Sequence, residues 1–86
     1  MSTGKVRASR MDLKAARVRV GLDQAQLARA AGLARETVST FENGKVPPHE
    51  STREAIQSAL EARGIVFTNG DKPGFYVDKT KADIPT

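Results

Sequence analysis

Cysteine and tryptophan are absent from this 86-residue chain, and histidine occurs once, at position 49. Without cysteine the chain has no disulfide bond and no thiolate ligand for a metal. His49 has neither a second histidine nor a cysteine with which to form a metal site or an acid–base pair, so we expect an ordinary surface residue. The seven glycines are scattered and form no phosphate-binding loop. The sequence therefore predicts a protein that is not an enzyme and has no metal and no cofactor.

Long hydrophobic runs are also missing. No segment approaches the ~20 apolar residues of a membrane-spanning helix, and residues 1–10 lack the apolar centre of a signal peptide. We therefore expect a cytoplasmic protein with no membrane partner. The length fits one domain, and a hydrophobic content of 38% predicts modest stability as a monomer, which association would increase.

Positive charge is concentrated in the first half of the chain. Residues 1–45 contain nine Lys and Arg against four Asp and Glu, a net charge of +5, whereas residues 46–86 have a net charge of −1. Such a basic segment is typical of proteins that bind phosphate groups. A solvated surface that is merely basic would have the same composition.

Apolar residues spaced three and four apart predict short helices in the first half of the chain. Ser9 is a candidate N-cap for a first helix that extends to about Val20. Asp23 and Gln26 form a capping-box pattern that begins a second helix. This helix ends at Gly32, because a tight turn needs a residue that can adopt a positive φ. A third helix follows the turn.

A fourth helix is predicted in the second half of the chain. Pro47 and Pro48 prevent the third helix from continuing. Ser51 and Glu54 form another capping-box pattern, which begins a helix that extends to Arg63. The predicted fold is therefore mainly α, with four helices before the segment described next.

Two β-prone triplets, at positions 65–67 and 75–77, flank turn residues and predict an antiparallel β-hairpin. A two-residue turn at Asn69 and Gly70 would place Pro73 inside the second strand, so a longer loop is expected. An isolated hairpin is marginal in water, and both faces carry apolar side chains. We expect pairing with a second copy of the chain through a dimer interface of Ile65, Val66, Phe67, Phe75, Tyr76 and Val77. The alternative is a hairpin that only covers its own helices.

Two short helices joined by a glycine-containing turn are typical of the helix-turn-helix unit, whose second helix, the recognition helix, enters the DNA major groove. The same helix pair also occurs as a purely structural element. With a start near Arg35, the candidates for base contacts are Arg35, Glu36, Ser39 and Thr40. The Arg35 guanidinium can donate two hydrogen bonds to guanine. Glu36 can accept from a cytosine amino group, or alternatively contacts Thr40 or solvent.

Residues 13–60 resemble the Cro/C1-type helix-turn-helix family, which is also called phage repressor-like or xenobiotic-response-element type. The resemblance is carried by Gln24, Leu27, Ala28, Gly32, Leu33, Thr37, Val38, Ser39, Glu42, Asn43 and Gly44. It implies a four-helix Cro/C1-like domain that recognises a specific sequence of double-stranded DNA. Ala34 departs from the family, which usually has a capping Ser or Thr there, and this absence should cost about 1 kcal/mol.

The resemblance also implies contacts to the DNA backbone from residues at the helix ends. Gln24 and Asn43 have this role in the family, and both have amide side chains near helix ends, where phosphate contacts are common. The complete set of predicted backbone contacts is Gln24, Thr37, Asn43 and Lys45. Arg7 and Arg10 are further candidates for nonspecific contacts.

A structural ion pair between Arg17 and Glu42 is implied in the same way. In the family, a basic residue late in the first helix commonly pairs with the acid of the Glu-Asn-Gly segment. Arg17 follows core-facing Ala16, and Glu42 follows core-facing Phe41, so we expect both side chains to be partly buried. The alternative role for Arg17 is contact with a phosphate.

The expected organisation is a flexible basic arm at residues 1–8, the helix-turn-helix domain at 9–63, the hairpin at 64–78 and a disordered tail at 79–86. The predicted function is that of a homodimeric transcriptional regulator, a repressor, on a palindromic operator. Alternatives of the same fold are an antitoxin, which also binds a toxin, and a restriction–modification controller. A protein-interaction adaptor that does not bind DNA is the alternative from another class, which the basic first half disfavours.

Overall fold

The structure, a computed structural model, describes residues 6–44, 49–69 and 73–81. Within these ranges the elements are α1 (Arg10–Arg19), α2 (Gln24–Ala31), α3 (Arg35–Asn43), α4 (Glu50–Glu61), β1 (Ile65–Thr68) and β2 (Gly74–Val77). A 3-10 turn follows at Lys79–Lys81. The predicted fold, four helices and then a two-stranded antiparallel hairpin, is confirmed.

The first two helices begin at the predicted caps. The Ser9 hydroxyl accepts a hydrogen bond from the Asp12 backbone N–H at 3.1 Å. In the capping box, Asp23 Oδ1 accepts from the Gln26 N–H at 2.7 Å, and Gln26 Oε1 accepts from the Asp23 N–H at 2.9 Å. At the other end of α2, Gly32 has a φ of 72°, a conformation that L side chains rarely adopt. This turn sets the direction of α3 relative to α2.

The fourth helix begins earlier than predicted, so the assignment of Ser51 as its N-cap is wrong. His49 occupies the N-cap position, and its side chain makes no capping hydrogen bond. Glu50 in the first turn accepts a hydrogen bond from Arg53 Nε at 3.1 Å. A carboxylate near the free N–H groups and an ion pair one turn later both favour this earlier start.

The end of α4 also comes earlier than predicted, at Glu61 and not at Arg63. The backbone N–H groups of Arg63 and Gly64 each donate to the carbonyl three residues back, at 3.0 Å. Gly64 has a φ of 94°. The last turn therefore tightens and redirects the chain into β1.

The core lies between the four helices and β1. It is formed by Ala8, Leu13, Ala16, Leu27, Ala28, Val38, Phe41, Ile56, Leu60, Ile65 and Phe67. The central element is α4, which packs against the other three helices and against β1. Each fully buried Leu or Ile contributes roughly 1.5–3 kcal/mol, so this core fixes the relative placement of α2 and α3.

The two strands of the hairpin pair so that their apolar residues lie opposite one another. The Cα partners are Ile65 with Val77, Val66 with Tyr76, Phe67 with Phe75, and Thr68 with Gly74. The rings of Phe67 and Phe75 lie 6.1 Å apart between centroids. Ile65 and Phe67 are buried in the core, whereas Tyr76 on the opposite face is 53% exposed. One face of the hairpin therefore covers the helices, and the other faces solvent.

The segment Val6–Ala8 packs against α4, which differs from the flexible arm expected over residues 1–8. The Ala8 N–H donates to Gln57 Oε1 at 3.0 Å, and Gln57 Nε2 donates to the Val6 carbonyl at 2.5 Å. Ala8 is buried. Residues 1–5 of the expected arm lie outside the described residues.

The start of the expected disordered tail is also ordered locally. Asp78 Oδ1 accepts hydrogen bonds from the backbone N–H of Thr80 at 3.0 Å and from its hydroxyl at 2.6 Å. This local turn supports the 3-10 geometry at Lys79–Lys81. Residues 82–86 lie outside the described residues.

Candidate nucleic-acid interface

The outer face of α3 is polar and accessible. Its exposed or half-buried members include the predicted contact residues Arg35, Glu36, Thr37, Ser39 and Thr40. Val38 and Phe41 are buried on the opposite side of the helix. Because residues three and four apart share a helix face, this packing turns the predicted contact residues outward as one group.

The N-terminal end of α3 lies next to the N-terminal end of α2. Gln24 and Arg35 line one surface hollow, together with Arg17, Asp23 and Ala25. The structure thus brings together a predicted backbone contact and a predicted base contact from separate helices. Asn43 is exposed at the opposite end of α3, where it is the last helical residue. Lys45, the other predicted backbone contact, lies outside the described residues.

The start of α3 has no side-chain cap. Ala34 occupies the N-cap position and makes no side-chain hydrogen bond, as the departure from the Ser or Thr pattern predicts. Glu36 is the acidic residue in the first turn, where a negative charge interacts favourably with the helix dipole. The position of α3 therefore depends on its contacts with other elements.

Arg17 and Glu42 form a nearly buried bidentate ion pair. Arg17 Nε donates to Glu42 Oε2 at 2.7 Å, and Arg17 Nη2 donates to Oε1 at 3.0 Å. The side chains of Arg17 and Glu42 are 12% and 2% exposed. Arg17 Nη1 donates to the Leu22 carbonyl at 2.8 Å. Each guanidinium nitrogen thus donates within the chain, which disfavours the alternative role of Arg17 as a phosphate ligand.

The same carboxylate holds Gln24. Gln24 Nε2 donates to Glu42 Oε1 at 3.0 Å. Glu42 therefore links α1 through Arg17, α2 through Gln24 and α3 through its own backbone. The family resemblance implied the ion pair, but the link to Gln24 was not predicted, because hydrogen bonds between distant side chains leave no local pattern.

Two arginines named as candidates for nonspecific DNA contact have partners within the chain. Arg10 Nη1 donates to the Glu42 carbonyl at 2.8 Å. Arg7 Nη2 donates to Glu50 Oε1 at 3.0 Å, although both of these side chains remain largely exposed. Arg10 therefore contacts the end of α3, whereas Arg7 contacts the start of α4.

A second charged cluster lies at the start of α4. Hydrogen bonds from Arg53 and then from Arg7 lower the pKa of the exposed Glu50 carboxyl to about 2. Arg53 is buried, and its Nη1 donates to Gln57 Oε1 at 2.6 Å. This cluster was not predicted from the sequence, although polar residues at spacing four on the core side of α4 are a signal of buried partners.

In the described residues, no group of three or more histidines and acidic residues is placed to hold a metal ion. Among the helices that the structure describes, none has the length and apolar character needed to cross a membrane.

Comparison with known proteins agrees with this geometry. Residues 10–65 match the family described as "Helix-turn-helix domain". The matched span contains all four of the described helices and the first residue of β1. No curated protein matches the chain.

Proposed function

This chain belongs to the helix-turn-helix domain family, and we propose that it binds a specific sequence of double-stranded DNA through the outer face of α3. The observation that carries this proposal is the exposure of a polar face with Arg35 at its first residue and Asn43 at its last. A helix of this kind fits the major groove, where side chains contact base edges and helix ends contact phosphates. The wider proposal is a cytoplasmic repressor of the Cro/C1 type that occludes a promoter.

In this proposal Arg35 contacts a base, and Glu36, Ser39 and Thr40 complete the base-contacting face. Arg35 is exposed and lies at the helix end that enters the groove first. Its planar guanidinium can bond to O6 and N7 of guanine. Gln24 and Asn43, at the edges of this face, contact the phosphate backbone.

Substitution of Arg35 tests the proposed function. With a duplex selected from a randomised pool, Arg35→Ala should weaken binding by about 1–3 kcal/mol and relax the preference at one base pair. Arg29→Ala is the matched control, because Arg29 lines a different groove with Gln26 and Arg63. Fluorescence anisotropy at several salt concentrations measures both variants. Equal affinities of the wild type and Arg35→Ala, or no selected duplex at all, would contradict the proposal.

We also propose that the active form is a homodimer that binds a palindromic operator, with β2 as the paired edge. The Asp78 N–H donates to the Gly64 carbonyl at 2.6 Å, so the N–H of Asp78 points toward the first strand. In an antiparallel ladder the backbone groups of successive residues point alternately toward the partner strand and away from it. The N–H and C=O groups of Phe75 and Val77 therefore point away from β1, toward a second copy.

The two-fold axis of this dimer lies beside Tyr76. Phe75 of one copy then pairs with Val77 of the other, and the two copies of Tyr76 face each other. Of the remaining hairpin residues named from the sequence, Val66 lies beside Tyr76 on the same face. Ile65 and Phe67 are buried in the chain's own core, so they support the sheet from β1 and do not contact the second copy. Two recognition helices about 34 Å apart would then face successive major grooves.

A single cysteine tests this pairing, because the chain has none of its own. Opposed residues of a non-hydrogen-bonded pair lie about 4.5 Å apart between Cα atoms, within the range of a disulfide. Tyr76→Cys should therefore form a covalent dimer rapidly under mild oxidation, measured by non-reducing electrophoresis. Ala62→Cys, at an exposed position at the end of α4, should not. Equal rates for the two variants, or a monomeric wild type in light scattering, would rule out this interface.

A further inference from the structure

The C-terminal end of α3 has no cationic residue of its own to balance the helix dipole. Its last turn contains no basic residue and contains the acidic Glu42. The partial negative charge on the last carbonyl groups of a helix favours a cation nearby. A cation from another element can supply this favourable interaction.

Arg10, the first residue of α1, supplies that charge. Arg10 Nη1 donates to the Glu42 carbonyl at 2.8 Å. The guanidinium also covers Gly44, where an added Cβ would lie 2.8 Å from Arg10 Cζ and 2.9 Å from Nε. Gly44 has a φ of 68°, so it provides both the left-handed turn and the space for the guanidinium.

We propose that Arg10 is a positioning residue for DNA binding, which acts through Asn43 and does not itself bind phosphate. This inference rests on the proposed function. Glu42 is held on two sides, since its carboxylate binds Arg17 and Gln24 while its carbonyl binds Arg10. Asn43 is the next residue along the chain. The contact from Arg10 therefore fixes the orientation in which Asn43 meets the DNA backbone.

The salt dependence of binding separates positioning from phosphate contact. Each phosphate contact adds about 0.9 to the slope of log affinity against log salt. Arg10→Ala should weaken binding to the selected duplex by roughly tenfold, the equivalent of about one hydrogen bond, and should leave this slope unchanged. A slope lower by about one, or an unchanged affinity, would overturn the proposal. Arg29→Ala is the control for loss of one positive charge, with neither affinity nor slope expected to change.

A double-mutant cycle tests the route through Asn43. If Arg10 acts by orienting Asn43, then Arg10→Ala combined with Asn43→Ala should bind no more weakly than Asn43→Ala alone. If the fold-losses of affinity of the two single variants instead multiply in the double variant, the two residues act independently, and the proposal is contradicted.

Thermal melts test the geometry without DNA. Gly44→Ala forces the Arg10 guanidinium away and adds backbone strain, whereas in an Arg10→Ala background only the strain remains. The fall in melting temperature caused by Gly44→Ala should therefore be smaller in the Arg10→Ala background. Equal falls would contradict the Arg10–Gly44 contact. If the effect of Gly44→Ala depends on Arg10 in this way but the wild type binds no duplex, then the proposed function is rejected and the Arg10–Gly44 contact is retained.

Discussion

Replacement of Glu42 by alanine is expected to lower the free energy of unfolding by about 3–5 kcal/mol. The substitution leaves the Arg17 guanidinium nearly buried with no opposite charge, and it also removes the acceptor of Gln24. A buried charge that has lost its partner causes one of the largest losses of stability known for a single substitution. The total free energy of unfolding of a small domain is only of the order of 5–15 kcal/mol. For a chain of this size the melting temperature should fall by more than about 10 °C.

Glu36→Ala is the matched control on the same helix. Glu36 is exposed, so its removal takes away only a favourable interaction with the helix dipole, on the order of 0.5 kcal/mol. Circular dichroism melts of the two variants measure the difference directly. An unchanged midpoint for Glu42→Ala would show that the ion pair has no structural role.

The parts of the fold that depend on local sequence were predictable. The Asp23–Gln26 capping box and Gly32 define α2 and the turn after it, because both signals act within one helical turn. The hairpin was predictable from its two β-prone triplets, which lie in β1 and β2.

The candidate site was only partly predictable, because its supports join residues that are distant in sequence. The outward position of Arg35 follows from helical periodicity once the start of α3 is known. The bond between Arg10 and the Glu42 carbonyl spans 32 residues, and a bond from a side chain to the backbone needs no particular partner type. No sequence pattern therefore shows whether Arg10 binds the Glu42 carbonyl or a phosphate group of DNA.

The misplaced start of α4 has a related cause. Ser51 and Glu54 form a valid local capping pattern, but Glu50 makes ion pairs with Arg53 in the helix and with Arg7 before α1. The second partner exists only after the N-terminal segment has docked. Tertiary contacts of this kind override a local cap whose contribution is only about 1 kcal/mol.

Replacement of Gln57 by alanine is the other change expected to have a large effect. Gln57 is 1% exposed and binds four groups. Its Oε1 accepts from the Ala8 N–H and from Arg53, and its Nε2 donates to the Val6 carbonyl and to Glu61. The substitution leaves these partners without their acceptor or donor, at about 1–3 kcal/mol for each group that stays buried.

We therefore expect Gln57→Ala to lower the free energy of unfolding by about 3 kcal/mol and to release the segment Val6–Ala8 from α4. Gln26→Ala is the control, since Gln26 is an exposed helical glutamine whose capping bond contributes about 1 kcal/mol or less. Urea unfolding measures the stability of both variants, and hydrogen exchange at the Ala8 amide reports on docking. Faster exchange at Ala8 with a large loss of stability is the expected result. If the Ala8 amide of Gln57→Ala were fully protected from exchange, apolar packing alone would hold the segment. The proposed role of the Gln57 hydrogen bonds in docking it would then be rejected.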